Sequence, residues 1–323
     1  MRKLLLAVTV ATMSAIGTAM AQVYPSRPVT LIVPFEAGGA IDVIARVIAE
    51  GMGRSLGQTI IIENVVGAAG RAGLSRLVGA APDGYTFGIG GWGPHVAHGA
   101  LYALKYDLLN DFEPVSLIAT QSLVIVSKTT IPADDLKGLI AWLKANPDKA
   151  VLGAGGVGTP GHVSGVLFKN ATGTRFQIVP YQNASKAMQD MVAGRLDMQI
   201  ATPVTSLPPL RAGTIKAFAV TNKKRLEAAP EIPTVDEAGL PGFYASNWQA
   251  LWAPKNTPGN AIARLNTAVA HALADPVVRR RFVELGQELY PGDQQSPNAL
   301  RAFHRAEIDK WSPVIKAANI KIE

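Results

Sequence analysis

The sequence has 323 residues, 48% hydrophobic and 17% charged, enough for two domains with substantial cores and unlike a disordered chain. The absence of cysteine excludes a disulfide framework, thiolate chemistry and a lipidated anchor. The formal charge of +7 is spread along the chain. Its densest clusters, Lys223-Lys224-Arg225 and Arg279-Arg280-Arg281, carry no interleaved aromatics and read as solvated helix faces or ends, so no nucleic-acid partner is expected.

The first segment, MRKLLLAVTVATMSAIGTAMAQ, has a basic start, an apolar middle and a small-x-small end at Ala19-Met20-Ala21. This is the layout of a secretory signal peptide cut after Ala21, and it predicts a periplasmic protein. Loss of Arg2 and Lys3 lowers the formal charge by two, to +5. No later stretch offers about 18 uninterrupted apolar residues, the length a membrane span requires.

Strand-like and helix-like segments then alternate. VTLIVPF (29–35) reads as a strand, followed by a helix over 41–56, a strand TIIIEN (59–64), a Gly-rich loop opening a helix at GAAGRAGLSRLVGA, and a strand YTFGIGG. This βαβαβ order predicts a parallel sheet with helices on both faces. A second block repeats the rhythm. SLVIVSK (122–128), AVLGAG, FQIVPY, LDMQIAT and IKAFAVT read as strands. LKGLIAWLKANP, PGHVSGVLFKNAT and SKAMQDMVAGR read as helices. The last third, from about Ala261, is mostly helical. EPVSLIAT and IKAFAVTNKKR bracket the second block as two crossover segments of a hinge. The expected division is domain I at 22–121 plus 222–323 and domain II at 122–221.

Two Gly-rich loops follow strands in matching positions. Pro34-Phe35-Glu36-Ala37-Gly38-Gly39 lies at the carboxyl end of the first strand, where open α/β sheets bind ligands. Glycines let the backbone approach a ligand, and the free N–H groups of a helix start favour a carboxylate or phosphate. Asp42 is placed to cap the helix or orient the loop. In the second block, VLGAGGVGTPGHVSGVLF supplies the same layout, with Thr159 as a cap, Pro160 at the first helical position and His162 in the first turn. Arg71, in the Gly-rich loop GAAGRAG, can clamp a carboxylate bidentately or stand exposed at a helix start. Phe35, Trp92 and Tyr181 lie at strand ends. Trp248 and Trp252, four apart, read as core or hinge packing.

Other chemistries find little support. Gly153, Gly155 and Gly158 spell G-x-G-x-x-G, as do Gly88, Gly90 and Gly93. No acid ends the strand after the first set, and no helix is expected after the second, so no dinucleotide cofactor is expected. His95 and His98 have i,i+3 spacing without a nearby third metal ligand. No G-x-S-x-G elbow or other nucleophile–base pair is evident, so the chain is not read as an enzyme.

The ordered set YPSRPVTLIVPFEAGGAIDVIAR, GQTIIIENVVGAAGRAG, APDGYTF, GVGTPGHVSGVLF, VPYQNASKAMQDMVAGRLD, AGTIKAFAVTNKKRLEAAPEIPTVDEAGLPGF and WAPKNTP resembles the substrate-binding proteins of tripartite tricarboxylate transporters, the TctC-like Bug family. The resemblance spans essentially all of the chain after residue 22. It implies a two-domain α/β periplasmic-binding-protein fold of type II-like, Venus-flytrap build, binding a small carboxylate: a di- or tricarboxylate, an amino acid or an aromatic acid. It implies a monomer that meets TctA- and TctB-like permease subunits transiently. A ligand-presenting sensor and a secreted enzyme on the same fold are the alternatives.

The resemblance also implies a carboxylate held by Phe35 to Gly39 with Asp42 on one side, and by Gly158, Thr159 and His162 on the other. The family's Tyr-Lys-Gly corresponds to Tyr181-Gln182-Asn183, so its basic residue is absent. Ala201-Thr202 stand where the family often has an Asp, and His98 replaces a common Asn. The expected ligand-contacting set is Phe35, Glu36, Ala37, Gly38, Gly39, Asp42, Arg71, Trp92, His95, Gly158, Thr159, His162, Tyr181, Ala201 and Thr202. The extra Arg71, Trp92 and the missing acid favour an apolar or aromatic ligand with a second carboxylate.

Overall fold

The computed structural model describes residues 24–318 and 320. The expected signal peptide lies outside the described residues. Two sheets form the frame. The first contains six strands in the order β11-β4-β10-β3-β1-β2: β1 (Val29–Val33), β2 (Ile60–Asn64), β3 (Thr86–Gly91), β4 (Phe112–Ser122), β10 (Ser246–Pro254) and β11 (Glu288–Leu289). The second contains five in the order β7-β6-β8-β5-β9: β5 (Val124–Lys128), β6 (Val151–Ala154), β7 (Gln177–Pro180), β8 (Met198–Ala201) and β9 (Ile215–Val220).

The βαβαβ reading holds for β1, β2 and β3, which pair in parallel, and for β6 with β7 and β8. The sheets as wholes are mixed, not parallel. β10 runs antiparallel to both β3 and β4, and β5 runs antiparallel to β8 and β9. β4 leaves the first sheet and β10 re-enters it in the opposite direction, with the whole second sheet between them in the chain.

Alternation along β10 explains both faces of the first sheet. Leu251 and Ala253 join β1 residues Val29, Leu31 and Val33 in a core under α1 (Ala40–Leu56), α8 (Gly259–Ala274) and α9 (Pro276–Glu284). Trp248, Ala250 and Trp252 face the opposite core, against α2 (Arg71–Val78), the short α3 (His98–Leu101) and α10 (Pro297–Ala317). The spacing of four between the tryptophans thus belongs to a strand, where it also keeps one face, and their rings lie 5.9 Å apart. In the second sheet, α4 (Leu136–Ala145) and α5 (Pro160–Thr172) cover one face, and α6 (Ala184–Val192) and α7 (Pro203–Arg211) the other.

Residues 222–245 follow the second sheet and stay with it. Val235, Phe243 and Ala245 enter its core, although the sequence places this segment in domain I. The junction is tied by one side chain: the buried Thr221 hydroxyl accepts the Leu123 N–H at 2.9 Å and donates to the Ala245 carbonyl at 2.6 Å. Those residues stand where β4 passes into β5, β9 ends and β10 begins.

The Trp252 ring is 1% exposed and stacks on the His95 imidazole at 3.6 Å. Trp252→Ala is expected to cost about 3–5 kcal/mol of unfolding free energy, read from urea melts, because a buried aromatic leaves a cavity that the sheet cannot collapse.

Candidate functional site

A cleft between the two sheets holds a cavity of about 120 Å³. Four helices begin at its wall, because parallel strands deliver the following helices to the same edge of their sheet. Ala40 and Ile41 of α1, Pro160 and Gly161 of α5, Ala184 and Ser185 of α6, and Thr205 of α7 all line it. The starts of α1, α5 and α7 carry no side-chain cap, so their first-turn N–H groups keep no side-chain acceptor. Only α6 is capped, by Asn183, whose side chain accepts the Lys186 N–H at 2.8 Å. Three aligned helix starts make an electropositive wall without a cation. The cavity lining contains neither Lys nor Arg.

The first loop is held from behind. Gly38 takes φ +78°, a conformation that favours glycine, and its N–H donates to Asp42 Oδ2 at 2.8 Å. Asp42 is 1% exposed and also receives Arg46 through two bonds at 2.8 and 3.0 Å, and Asn64 at 2.9 Å. Burial pushes the Asp42 carboxyl up, but the hydrogen bonds from Arg46, Gly38 and Asn64 outweigh it and hold it below the usual carboxylate range. Asn64 further donates to the Phe35 carbonyl at 2.9 Å. Asp42 therefore organises the loop and does not line the cavity.

The second loop is built differently. The Thr159 hydroxyl donates back to the Gly156 carbonyl at 2.8 Å, and Gly158 donates its N–H to His162 Nδ1 at 3.4 Å. Gly161 packs so tightly on β8 that an added Cβ would lie 2.6 Å from the Ile200 carbonyl oxygen. The loop's helix thus starts directly against the strand end that bears Ala201 and Thr202.

Of the residues expected from sequence, Phe35, Glu36, Gly39, Thr159, Ala201 and Thr202 line the cavity. Ala37 and Gly38 are exposed on the turn. Gly158 and His162 shape the second loop. Trp92 belongs to the first sheet's core, edge-on to Trp311 at 5.2 Å. His95 is buried there against Trp252. The Tyr181 hydroxyl is turned to Asp190 at 2.9 Å. Arg71 lies over the Tyr102 ring, 3.5 Å from its centre, outside the lining. Arg71 and Trp92, which favoured an aromatic ligand, are therefore spent elsewhere. The chain after Gly93 also contradicts the sequence reading, forming helical turns at Gly93–Ala97 and His98–Leu101.

The wall contains polar side chains that the sequence reading did not select: Asn183, Ser185, Gln199 and Asn247, with His98 beside them. His98 is fully buried, and neither ring nitrogen has a partner. Burial, aided by the Arg71 charge, pushes its imidazole down to about 3, so it is neutral at physiological pH and offers one N–H donor. Asn183 had a legible signal, an N-cap residue before a helical run. Gln199 and Asn247 had none, since their direction depends on strand register.

The two sides touch across the cleft. Asn183 donates its side-chain N–H to Glu36 Oε2, and Tyr102 of the first side reaches the Val157 carbonyl of the second at 3.5 Å.

Residues 44–320 match the family described as the tripartite tricarboxylate transporter family receptor, TctC, and the chain belongs to that family. Three solved structures show the same fold. The periplasmic binding protein BugD superimposes with a TM-score of 0.87 at 33% identity, covering 93% of this chain and all of that one (100%). MatC from Rhodopseudomonas palustris, with bound malate, gives 0.85 at 35% identity over 90% of this chain and 100% of its own. R. palustris Rpa4515, with adipate, gives 0.88 at 35% identity, covering 92% and 99%. The chain is thus a solute-binding protein of the TctC/Bug family, and its relatives are binding proteins, not enzymes.

Two expectations follow from this geometry. Asp42→Ala removes the acceptor that fixes Gly38 and frees Arg46 and Asn64; a loss of about 1–3 kcal/mol is expected in denaturant titrations. Burial lowers the imidazoles of His98, His162 and His304, and that of His95 well below its ordinary value, where neighbouring His304 and His98 add to the effect. The unfolded chain takes up protons near pH 6.5 while these groups stay neutral. Stability is therefore expected to fall as pH drops below about 6.5, by ~1.4 kcal/mol per pH unit for each histidine kept neutral. For His98 this window extends to about 3. Urea midpoints at pH 7.5, 6 and 5 check the slope; a flat profile would contradict it.

Proposed function

We propose that the chain is an exported receptor that holds a small aliphatic di- or tricarboxylate between its two sides and delivers it to the membrane subunits of a tripartite transporter. The observation that carries this reading is the set of three uncapped helix starts aimed at one cavity whose lining has neither Lys nor Arg. Such fixed dipoles stabilise carboxylate oxygens without reorganising. Malate and adipate, the ligands of two relatives, support the ligand class. An aliphatic ligand is favoured because, of Phe35, Trp92 and Tyr181, only Phe35 lines the cavity.

In this reading residues 122–221, together with 222–245, form one moving lobe, and the rest of the mature chain forms the other. The crossing passages at Leu123, Thr221 and Ala245 are the hinge. A ligand bound by helix starts from both lobes favours the closed arrangement, because the open one satisfies only the bonds of one lobe. The receptor acts as a monomer in the periplasm after cleavage behind Ala21. Micromolar affinity corresponds to about 8 kcal/mol, within reach of several charge-assisted hydrogen bonds of ~1.5–3 kcal/mol each in a pre-formed cleft.

Thermal unfolding with succinate, malate, adipate and citrate, each against its methyl ester, tests the ligand class. At 100 times its dissociation constant, a cognate acid is expected to stabilise the protein by ~2.7 kcal/mol, and its ester not at all. Equal stabilisation by acid and ester, or by none of the acids, would overturn the proposal.

A further inference from the structure

The helix starts account for negative ligand oxygens, but they leave Glu36 unexplained. A carboxylate in the wall of an anion cavity repels a second anion unless a proton donor stands between them. One Glu36 oxygen takes the Asn183 side-chain N–H across the cleft, and the other has no partner among the described residues. Gln199, on β8, lines the same cavity. It is 1% exposed, its Nε2 leans on the Ala184 carbonyl at 3.5 Å, and its Oε1 has no partner. Reversing that amide would press Oε1 against the same carbonyl, so the unpaired oxygen stays open.

Asn183 and Ala184 are consecutive, so the two acceptors are fastened to one turn at the start of α6, one from each side of the cleft. Nothing in the lining supplies a charged donor to them. A methylene group placed there leaves both acceptors unpaired. A ligand carboxylate placed there meets the charge of Glu36. An ammonium has protons for both acceptors, and a hydroxyl donates its single proton to one of them.

We infer that Glu36 and Gln199 are specificity-determining residues that read a hydrogen-bond donor on the ligand, so that the preferred ligand is a carboxylate bearing a hydroxyl or an ammonium group. This rests on the carboxylate-binding reading above and narrows it. Discrimination then comes from the penalty for leaving the buried Gln199 oxygen unpaired and the half-buried Glu36 without a donor, which separates ligands of nearly equal size.

Titration calorimetry on the wild-type protein with two matched series tests it: succinate, malate and aspartate, and adipate, 2-hydroxyadipate and 2-aminoadipate. In the series that binds, one donor-bearing acid is expected to bind at least about 10-fold more tightly than the bare acid, a difference of ~1.4 kcal/mol. The hydroxy and amino arms identify which donor is read. Glu36→Met and Gln199→Met are each expected to shrink that ratio to about threefold or less. Tyr102→Phe, which removes the cross-cleft bond to the Val157 carbonyl from outside the cavity lining, is expected to weaken every acid by one factor and leave the ratio unchanged.

A wild-type protein that binds the bare acid as tightly as its donor-bearing partners overturns the inference while leaving carboxylate binding intact. An unchanged ratio in both methionine variants also overturns it. Should those variants fail to fold, the wild-type ratio decides. Failure of every acid to bind overturns the functional reading, and this inference with it.

Discussion

The structure depends on one constraint: the first N–H groups of a helix have no partner inside the helix. Three helices here start at a shared cavity and carry no side-chain cap. First-turn N–H groups without a side-chain acceptor become part of the binding wall, although Pro160 and Pro203 carry no N–H and the Thr205 N–H turns back to the Thr202 carbonyl. Parallel strands β1, β6 and β8 end at the cleft, so the helices that follow begin there. Tight glycine loops keep the backbone close to the space between. Arg46, which could have carried the positive charge, is used behind the loop to hold Asp42. A wall of dipoles suits a receptor that must release its cargo. It attracts carboxylate oxygens strongly at close range and lacks the long flexible cations that would adapt to any anion.

The support for that wall is buried and polar. Asp42 fixes the first loop by three hydrogen-bonding partners, and His162 contacts the second loop through Gly158. Thr221 ties together the three passages between the sheets. Each of these groups is paired with backbone or with a partner of opposite charge, so each adds direction as well as stability. Among the buried polar atoms without a partner, those of His98 and Gln199 belong to residues of the cavity wall. In the cavity wall, such atoms define what a ligand must bring.

Much of the fold was legible. β1, β6 and their glycine loops announced themselves by apolar runs ending in Gly-rich turns, and α5 by Pro160 at its first position. Strand β10 was not read, because SNWQALWAP has aromatic spacing that suits a helix as well as a strand. Helix α7 was not read; it carries Pro208 and Pro209, which suit a helix interior poorly, in a short helix that ends at Arg211. The mixed sheets were missed because local pattern carries no strand direction. The site was half legible. Phe35, Glu36, Gly39, Thr159, Ala201 and Thr202 were found from loop position. Trp92, His95 and Tyr181 were misplaced, since a side chain at a strand end can turn into the core as easily as into the cleft. Asn247 and Gln199 were missed for the converse reason.

The sequence by itself determined that two α/β blocks each carry a glycine loop between a strand and a helix, because hydrophobic period and φ-permissive residues are local properties. It also determined that no thiol was available for any role. Only the tertiary structure decided that the two loops face one cavity, that no Lys or Arg lines its wall, and that Glu36 and Gln199 share that wall. Those facts depend on strand register and on the angle between two sheets. Both are set by contacts between residues more than a hundred positions apart, such as Glu36 with Asn183, and no local pattern encodes them.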